Sequence, residues 1–436
     1  MSGDPTVLVI GGGATGAGVA RDLALRGVDV TLVDRGGLGS GTSGRSHGLL
    51  HSGARYAEAD APGAEECLRE NRTLREIAGA CVRETGGLFV RLSGDDPDYF
   101  EEKIDACEEV GIETERLDGD AARAVVPGLS EDVAEAFRVP DGVIYPSRLV
   151  AANAADAERH GAAVRIDAPV EAIETDDGAV SGVRLGGDVD ATLEPDHVVN
   201  ATGAWADRIA EMAGVEVGMA PSRGVMISVE YDGLDPVLNR CRDPDDGDIV
   251  VPHEGEAVLG TTSVPVDDPD EYERADWEVE RSVEECAAML PAVADAPTVR
   301  TWWGVRPLYA PDEAGSDRRG ISRGFSVIDH ADEGVANLHT VVGGKLTTYR
   351  EMAEVTSDRV CERLGVSATC RASPTSPPVP RCCGRWTGPA WAPAPKPGTR
   401  TSLPPAPTLW TCRSMPRRVS SCAAAGWMRN WAGRSG

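Results

Sequence analysis

The segment Gly11-Gly12-Gly13-Ala14-Thr15-Gly16 constrains this chain more than any other. It follows Thr6-Val7-Leu8-Val9-Ile10, an unbroken apolar run of the kind that becomes a strand buried on both faces. After it come Val19, Leu23 and Leu25 on an amphipathic helix, then a second apolar run, Val28–Val33, that ends on Asp34. Gly11 permits the tight turn, Gly13 lets backbone approach a pyrophosphate, and Gly16 lets the helix pack on the strand. Asp34 stands about twenty residues beyond the glycines, where an acid bonds a ribose hydroxyl. G-x-G-x-x-G alone is a weak signal. Strand, glycines, helix, strand and terminal acid in this order predict a dinucleotide-binding unit in an α/β chain.

The next segment separates the dinucleotides. An NAD domain continues in alternating strands and helices. Here a glycine- and serine-rich loop, Gly39–Gly48, takes their place, and Thr42, Ser43 and Ser46 offer hydroxyl and backbone N–H groups to an extended FAD. Residues Ala163–Val170 read as a strand that lies along the adenosine and ends on Val170. The strand Val198–Asn200 runs into Ala201-Thr202-Gly203, a small-residue turn that passes close to the cofactor. Finally Val341–Val342 leads to Gly343-Gly344-Lys345-Leu346, with a helix expected to begin near Lys345. Its N-terminus would stabilise negative charge on a reduced isoalloxazine. The expected FAD contacts are therefore Gly11, Gly13, Gly16, Asp34, Thr42, Ser43, Ser46, Val170, Ala201, Gly203, Gly344 and Leu346.

At 436 residues the chain is long enough for two domains. Its formal net charge of -28 excludes a nucleic-acid partner, because a phosphate backbone calls for a basic face. Lysine occurs only at Lys103, Lys345 and Lys396. An acid-rich, lysine-poor surface suits high intracellular salt, where screening removes self-repulsion. The cysteines up to Cys370 show no C-x-x-C pair and no zinc spacing, so reduced thiols and no metal site are expected. With no signal-like start and no spanning run, a cytoplasmic protein with at most peripheral membrane contact is expected. Composition changes at Arg371: the last 66 residues hold 10 of the 43 basic residues and no Asp or Glu. This Pro-, Arg- and Trp-rich tail reads as out-of-frame sequence, with a partner-binding tail as the alternative. Cys382, Cys383, Cys412 and Cys422 are accordingly not taken as ligands.

The segments GGGATGAGVARDLALRG, SGTSGRSHGLLHSGARYAE, WWGVRPLYAP, SRGFSVIDH and GGKLTTYREMAE resemble the FAD-dependent glycerol-3-phosphate dehydrogenases. LNRCRDPDDGDIVVPHEGEAVLGTTS is similar to the large flavoprotein subunit of the anaerobic, multi-subunit type, within the D-amino-acid-oxidase-like flavoproteins. The resemblance implies a Rossmann-like FAD-binding domain from residues 1–75, 146–219 and 311–367, with an α+β substrate domain carrying an antiparallel sheet from 76–145 and 220–310. Residues 368–436 form the aberrant tail. It implies oxidation of sn-glycerol 3-phosphate, with electrons passing through FAD to electron-transfer subunits and a membrane quinone at the inner face of the membrane.

By the same resemblance Arg55, Arg306 and Lys345 surround the substrate, while Tyr56 and Thr347 add hydroxyl contacts. Guanidinium forks suit phosphate oxygens, and an ammonium supplies a compact charge. His51 is the titratable candidate base, and Arg306 the charge best placed to lower the alcohol's pKa. Met226 stands where some single-subunit relatives carry a histidine. An oxidase of amino or 2-hydroxy acids, and a flavin-binding product inactive by itself, stay open as alternatives. The stretch Glu65–Cys81 is expected to be a packing helix whose charges, like those of Glu101-Glu102-Lys103, form a solvated face.

Overall fold

A computed structural model describes residues 5–310 and 324–366. The out-of-frame reading of the tail, and Cys370 with it, lies outside the described residues, as does 311–323 of the expected FAD-binding segments. The strand Thr6–Ile10, the helix Ala14–Leu25 and the strand Asp29–Val33 form where the sequence places them. They belong to a six-stranded sheet in the order Phe325–Asp329, Leu338–Gly343, His197–Asn200, Thr6–Ile10, Asp29–Val33, Ala163–Arg165. The neighbours are parallel except for Phe325–Asp329 at one edge. Val7 and Val9 pack under the helices Ala14–Leu25, Pro146–Arg159 and Tyr349–Leu364, whereas Leu8 and Ile10 face a three-stranded antiparallel sheet and the helix Ala206–Met212. Burial on both faces is why the first run is apolar throughout rather than alternating.

Chain order reverses beside Thr6–Ile10: the next strands go to one side, and His197–Asn200 and Leu338–Gly343 to the other. A crevice for a ligand opens at such a switch point, beyond the carboxyl ends of the strands. Those ends carry Gly11, Asp34 and Ala201.

A nine-stranded sheet forms the second layer. Its order is Val264–Pro265, Ser222–Glu230, Glu256–Gly260, Ile249–Pro252, Val237–Arg240, Gly87–Leu92, Val133–Val139, Glu115–Asp118, with Thr298–Arg306 paired to Ser222–Glu230. Pairing is antiparallel except between Val237–Arg240 and Gly87–Leu92. The helices Asp276–Met289 and Pro97–Glu109 contribute to its cores. Thr42 Oγ1 donates to the Val305 carbonyl at 2.6 Å and Trp302 Nε1 to the Arg45 carbonyl at 3.1 Å, which ties the 39–48 loop to this sheet.

Three local expectations are corrected. The strand expected over 163–170 divides: Ala163–Arg165 joins the parallel sheet, and Val170–Asp176 starts the antiparallel one. Asp167, at φ +50°, makes the bend, and the Asp34 carbonyl accepts from Ala168 N–H. Lys103 is 2% exposed rather than solvated, because its ammonium is paired with Glu58 and lies 5.2 Å from the Tyr99 ring centre. Glu70, on the helix Ala61–Ile77, is also fully buried, held by two hydrogen bonds from Arg350 at 2.7 and 2.8 Å. Among the described residues no helix is long and apolar enough to cross a membrane.

Candidate flavin and substrate site

The glycine turn is built for close approach. Gly11 has φ +109°, and a Cβ there would lie 2.5 Å from the Ala201 carbonyl oxygen. At Gly16 a Cβ would lie 1.8 Å from the Gly11 carbonyl oxygen, so helix and turn meet only through glycine. Gly13 is the N-cap of the first helix. Asp34 accepts from Gly12 N–H at 2.7 Å and Gly36 N–H at 2.8 Å. Burial pushes its carboxyl up, and those two N–H groups oppose the shift. Ser43 Oγ accepts from Ala14 N–H at 2.9 Å and Ser46 Oγ donates to the Ser43 carbonyl at 3.1 Å, folding the serine-rich loop onto the helix N-terminus. Gly203 begins a short turn of helix after Ala201, and Gly344 follows the strand Leu338–Gly343. Leu346 packs against the core beneath the first helix. Val170 starts its own strand beyond the Asp167 bend. A cradle that added Cβ atoms would fill, an acid at the second strand end and a helix N-terminus lined with hydroxyls fit the extended dinucleotide.

The helix expected from Lys345 begins at Tyr349 instead. Thr348 N–H and Oγ1 both bond the Lys345 carbonyl, at 3.1 and 3.3 Å, and close a turn first. This turn brings Lys345 beside the 51–56 segment.

His51 N–H donates to Thr347 Oγ1 at 3.1 Å, so the Thr347 hydroxyl hydrogen points elsewhere. The His51 ring lies 5.3 Å from the Tyr56 ring, and the Lys345 ammonium 4.8 Å from the centre of that same ring. His51, Tyr56, Lys345 and Thr347 thus form one cluster. Glu66 and Cys67 adjoin Lys345. Burial raises the Glu66 carboxyl, with Lys345 the leading opposing charge, and pushes the Cys67 thiol up to about 12.

The two expected arginines bond to groups of the nine-stranded sheet and the loops beside it: Arg306 ends the strand Thr298–Arg306, and Arg55 lies next to Tyr56 in the chain. Arg306 Nη2 donates to the Thr262 carbonyl at 2.8 Å and Thr261 Oγ1 at 3.2 Å, and Nη1 to the Arg223 carbonyl at 3.2 Å. Arg55 Nη2 reaches Asp248 Oδ2 at 3.5 Å.

Sequence reasoning missed the residues that hold this arrangement. Asn71 Nδ2 donates to the His51 carbonyl at 3.0 Å, and buried Asp141 accepts from Ser52 N–H at 2.7 Å. Asp141 reads as an ordinary turn residue in Pro140-Asp141-Gly142, and Asp248 as one acid among several in 243–248. Neither carries a local signal.

The profile of the family described as "DAO: FAD dependent oxidoreductase" matches residues 6–359. An anaerobic glycerol-3-phosphate dehydrogenase subunit of Haloferax volcanii is 49% identical over 388 residues, covering 86% of this chain and 66% of that protein. The anaerobic glycerol-3-phosphate dehydrogenase subunit of Escherichia coli K12 is 42% identical over 370 residues, covering 84% of this chain and 68% of its own length. The chain thus spans about two thirds of the length of these relatives. In structure, the glycerol-3-phosphate dehydrogenase from Bacillus halodurans complexed with FAD superposes with a TM-score of 0.64 at 26% identity, over 84% of this chain and 66% of that one. With FAD as its cofactor, the chain belongs to the DAO family of FAD-dependent oxidoreductases and, within it, groups with these subunits of the anaerobic glycerol-3-phosphate dehydrogenases.

Proposed function

We propose that this chain oxidises sn-glycerol 3-phosphate to dihydroxyacetone phosphate and passes the electrons to partner subunits and a membrane quinone. The observation that supports this is the cluster of His51, Tyr56, Lys345 and Thr347 that follows the flavin loop, with the Lys345 ammonium over the Tyr56 ring and Arg55 next to Tyr56 in the chain. In a protein of net charge -28, such a gathering of cations calls for a strongly anionic ligand. The relatives from Haloferax volcanii and Escherichia coli bear the name of an enzyme for that substrate.

FAD supplies the hydride acceptor when bound, held by Gly11, Gly13, Gly16, Asp34, Thr42, Ser43, Ser46, Val170, Ala201, Gly203, Gly344 and Leu346. Lys345 and Arg55 bind the phosphate as point charge and fork, and Tyr56 and Thr347 orient the glycerol hydroxyls. Arg306, held by carbonyl and hydroxyl oxygens, favours the developing alkoxide. His51 takes the hydroxyl proton on its ring. Electron delivery to a quinone calls for docking at the inner face of the membrane through the partner subunits.

Residues 1–75, 146–219 and 311–367 serve the cofactor, and 76–145 with 220–310 the substrate. Residues 368–436, without acid, are read as out of frame. Translation of the other two frames tests this, since an acidic, patterned sequence in one of them is expected.

The activity is tested by anaerobic mixing of the flavin-loaded chain with glycerol 3-phosphate, amino acids or 2-hydroxy acids. Bleaching of the flavin by glycerol 3-phosphate alone is expected, together with reduction of an artificial dye. Bleaching by the other acids, or none at all, overturns the reading.

A further inference from the structure

The Arg55 guanidinium has five N–H donors. Among the described residues its hydrogen-bond and ion-pair partner is Asp248, at 3.5 Å. A fully engaged guanidinium–carboxylate pair closes to about 2.7–2.9 Å. Arg350 shows that engagement, with two bonds to Glu70 and one to Glu354, all between 2.7 and 2.8 Å. Arg55 is therefore held in direction yet keeps most of its donors uncommitted, and its side chain is 19% exposed where that of Asp248 is 1%.

Asp248 is fixed from behind. Its Oδ1 accepts from Arg242 Nε at 3.0 Å and its Oδ2 from Asp245 N–H at 2.7 Å. Arg242 meets Glu285 at 3.0 Å, Glu285 meets Arg240 at 2.6 Å, and Arg240 meets Asp95 at 2.8 Å. This run of alternating charges anchors the carboxylate to the nine-stranded sheet. Burial pushes the Asp248 carboxyl up, and Arg55 is foremost among the groups opposing that shift. A buried carboxylate is costly unless it is paired, so the pair has a rigid rear and an open front.

We propose that Asp248 is a positioning residue, aiming the uncommitted N–H donors of Arg55 at the phosphate of the substrate. This rests on the phosphorylated-alcohol reading of the site and adds to it the device that sets the guanidinium's direction.

The full chain loaded with FAD is compared with Asp248→Asn by dye reduction with glycerol 3-phosphate and by calorimetric titration with inorganic phosphate. The KM for glycerol 3-phosphate and the Kd for phosphate should rise together by about tenfold, the effect of one charge-assisted hydrogen bond, with kcat largely retained. In an Arg55→Ala background the second substitution should add nothing, because the two residues act as one unit. Unchanged KM and Kd in folded, flavin-loaded Asp248→Asn overturn the proposal, as does an equal rise with and without Arg55. Should Asp248→Asn lose flavin, Asp248→Glu carries the same comparison, since it keeps the charge but displaces it by a methylene. A wild-type chain that neither turns over nor binds phosphate brings down the functional reading and this proposal with it. A wild type that does both, matched by its variant, removes the proposal alone.

Discussion

His51 is gripped through its backbone from three directions. Its N–H meets Thr347 from the last turn before a helix, and its carbonyl meets Asn71 from the helix Ala61–Ile77. The next N–H, of Ser52, meets Asp141 from between two strands. Fixing both flanking peptides restricts where the ring can go, which a proton acceptor requires. His51→Asn should therefore retain flavin yet lower kcat by about 100-fold or more, and flatten the pH profile of flavin reduction. Rapid-mixing measurements across the pH range check this, and an unaltered rate and profile would remove His51 from the mechanism. Residue types with rare chemistry in a rare context, such as Lys345 after two glycines, were legible in the sequence. The residues bonded to the 51–55 segment were not: Asn71, Asp141 and Asp248 reach it from positions distant in the chain.

Among the elements, the opening strand, helix and strand were legible because each hydrophobic period and each glycine pointed to the same answer. The antiparallel sheet of the second domain was expected only through the family resemblance, and its parallel pairing of Val237–Arg240 with Gly87–Leu92 was not, since two strands of the parallel sheet lie between these segments in the chain. The helix Ala61–Ile77 shows a further limit. It forms as a packing helix, but a solvated face was expected for its charges, and Glu70 instead points inward to Arg350 on the helix Tyr349–Leu364. Periodicity alone does not report that a carboxylate on the inner face has a partner on another element. Burial raises the Glu70 carboxyl, with the Arg350 hydrogen bonds opposing. Arg350→Leu should destabilise the chain by about 3–5 kcal/mol, because Glu70 is left buried without its partner. Urea unfolding measures the loss, and adding Glu70→Gln should recover part of it.

For the molecule as a whole, a buried histidine pair links stability to pH. His197 Nε2 and His339 Nδ1 are 2.8 Å apart at the bottom of the parallel sheet, away from the glycine turn. Burial brings the His197 ring down to about 3 and the His339 ring to about 4. An unfolded histidine titrates near 6.5, at roughly its reference value. Below that pH the unfolded chain binds protons that the folded chain refuses, so this contribution to stability is present above about 6.5 and is lost as pH falls toward the folded values. The loss amounts to up to about 1.4 kcal/mol per histidine per pH unit. His197→Gln should lower the slope of unfolding free energy against pH between neutrality and mild acid, as urea titrations at several pH values will show. An unchanged slope would exclude the pair as its source.

The helix Ala14–Leu25 is synthesised far ahead of the helix Tyr349–Leu364 that covers one of its flanks: Gly18 lies against Tyr349 and Ala353, and Thr15 and Met352 touch across 337 residues of chain. During synthesis the first helix therefore leaves the ribosome long before its cover exists. The nascent chain carries an apolar flank, and with it an incomplete cofactor cradle, until nearly all of the matched region has been made. Such late-closing contacts slow folding and lengthen the time in which an intermediate can aggregate. Flavin capture then waits on the helix Tyr349–Leu364, and a ribosome that stalls before Tyr349 releases a chain whose glycine turn is made but whose cover is not.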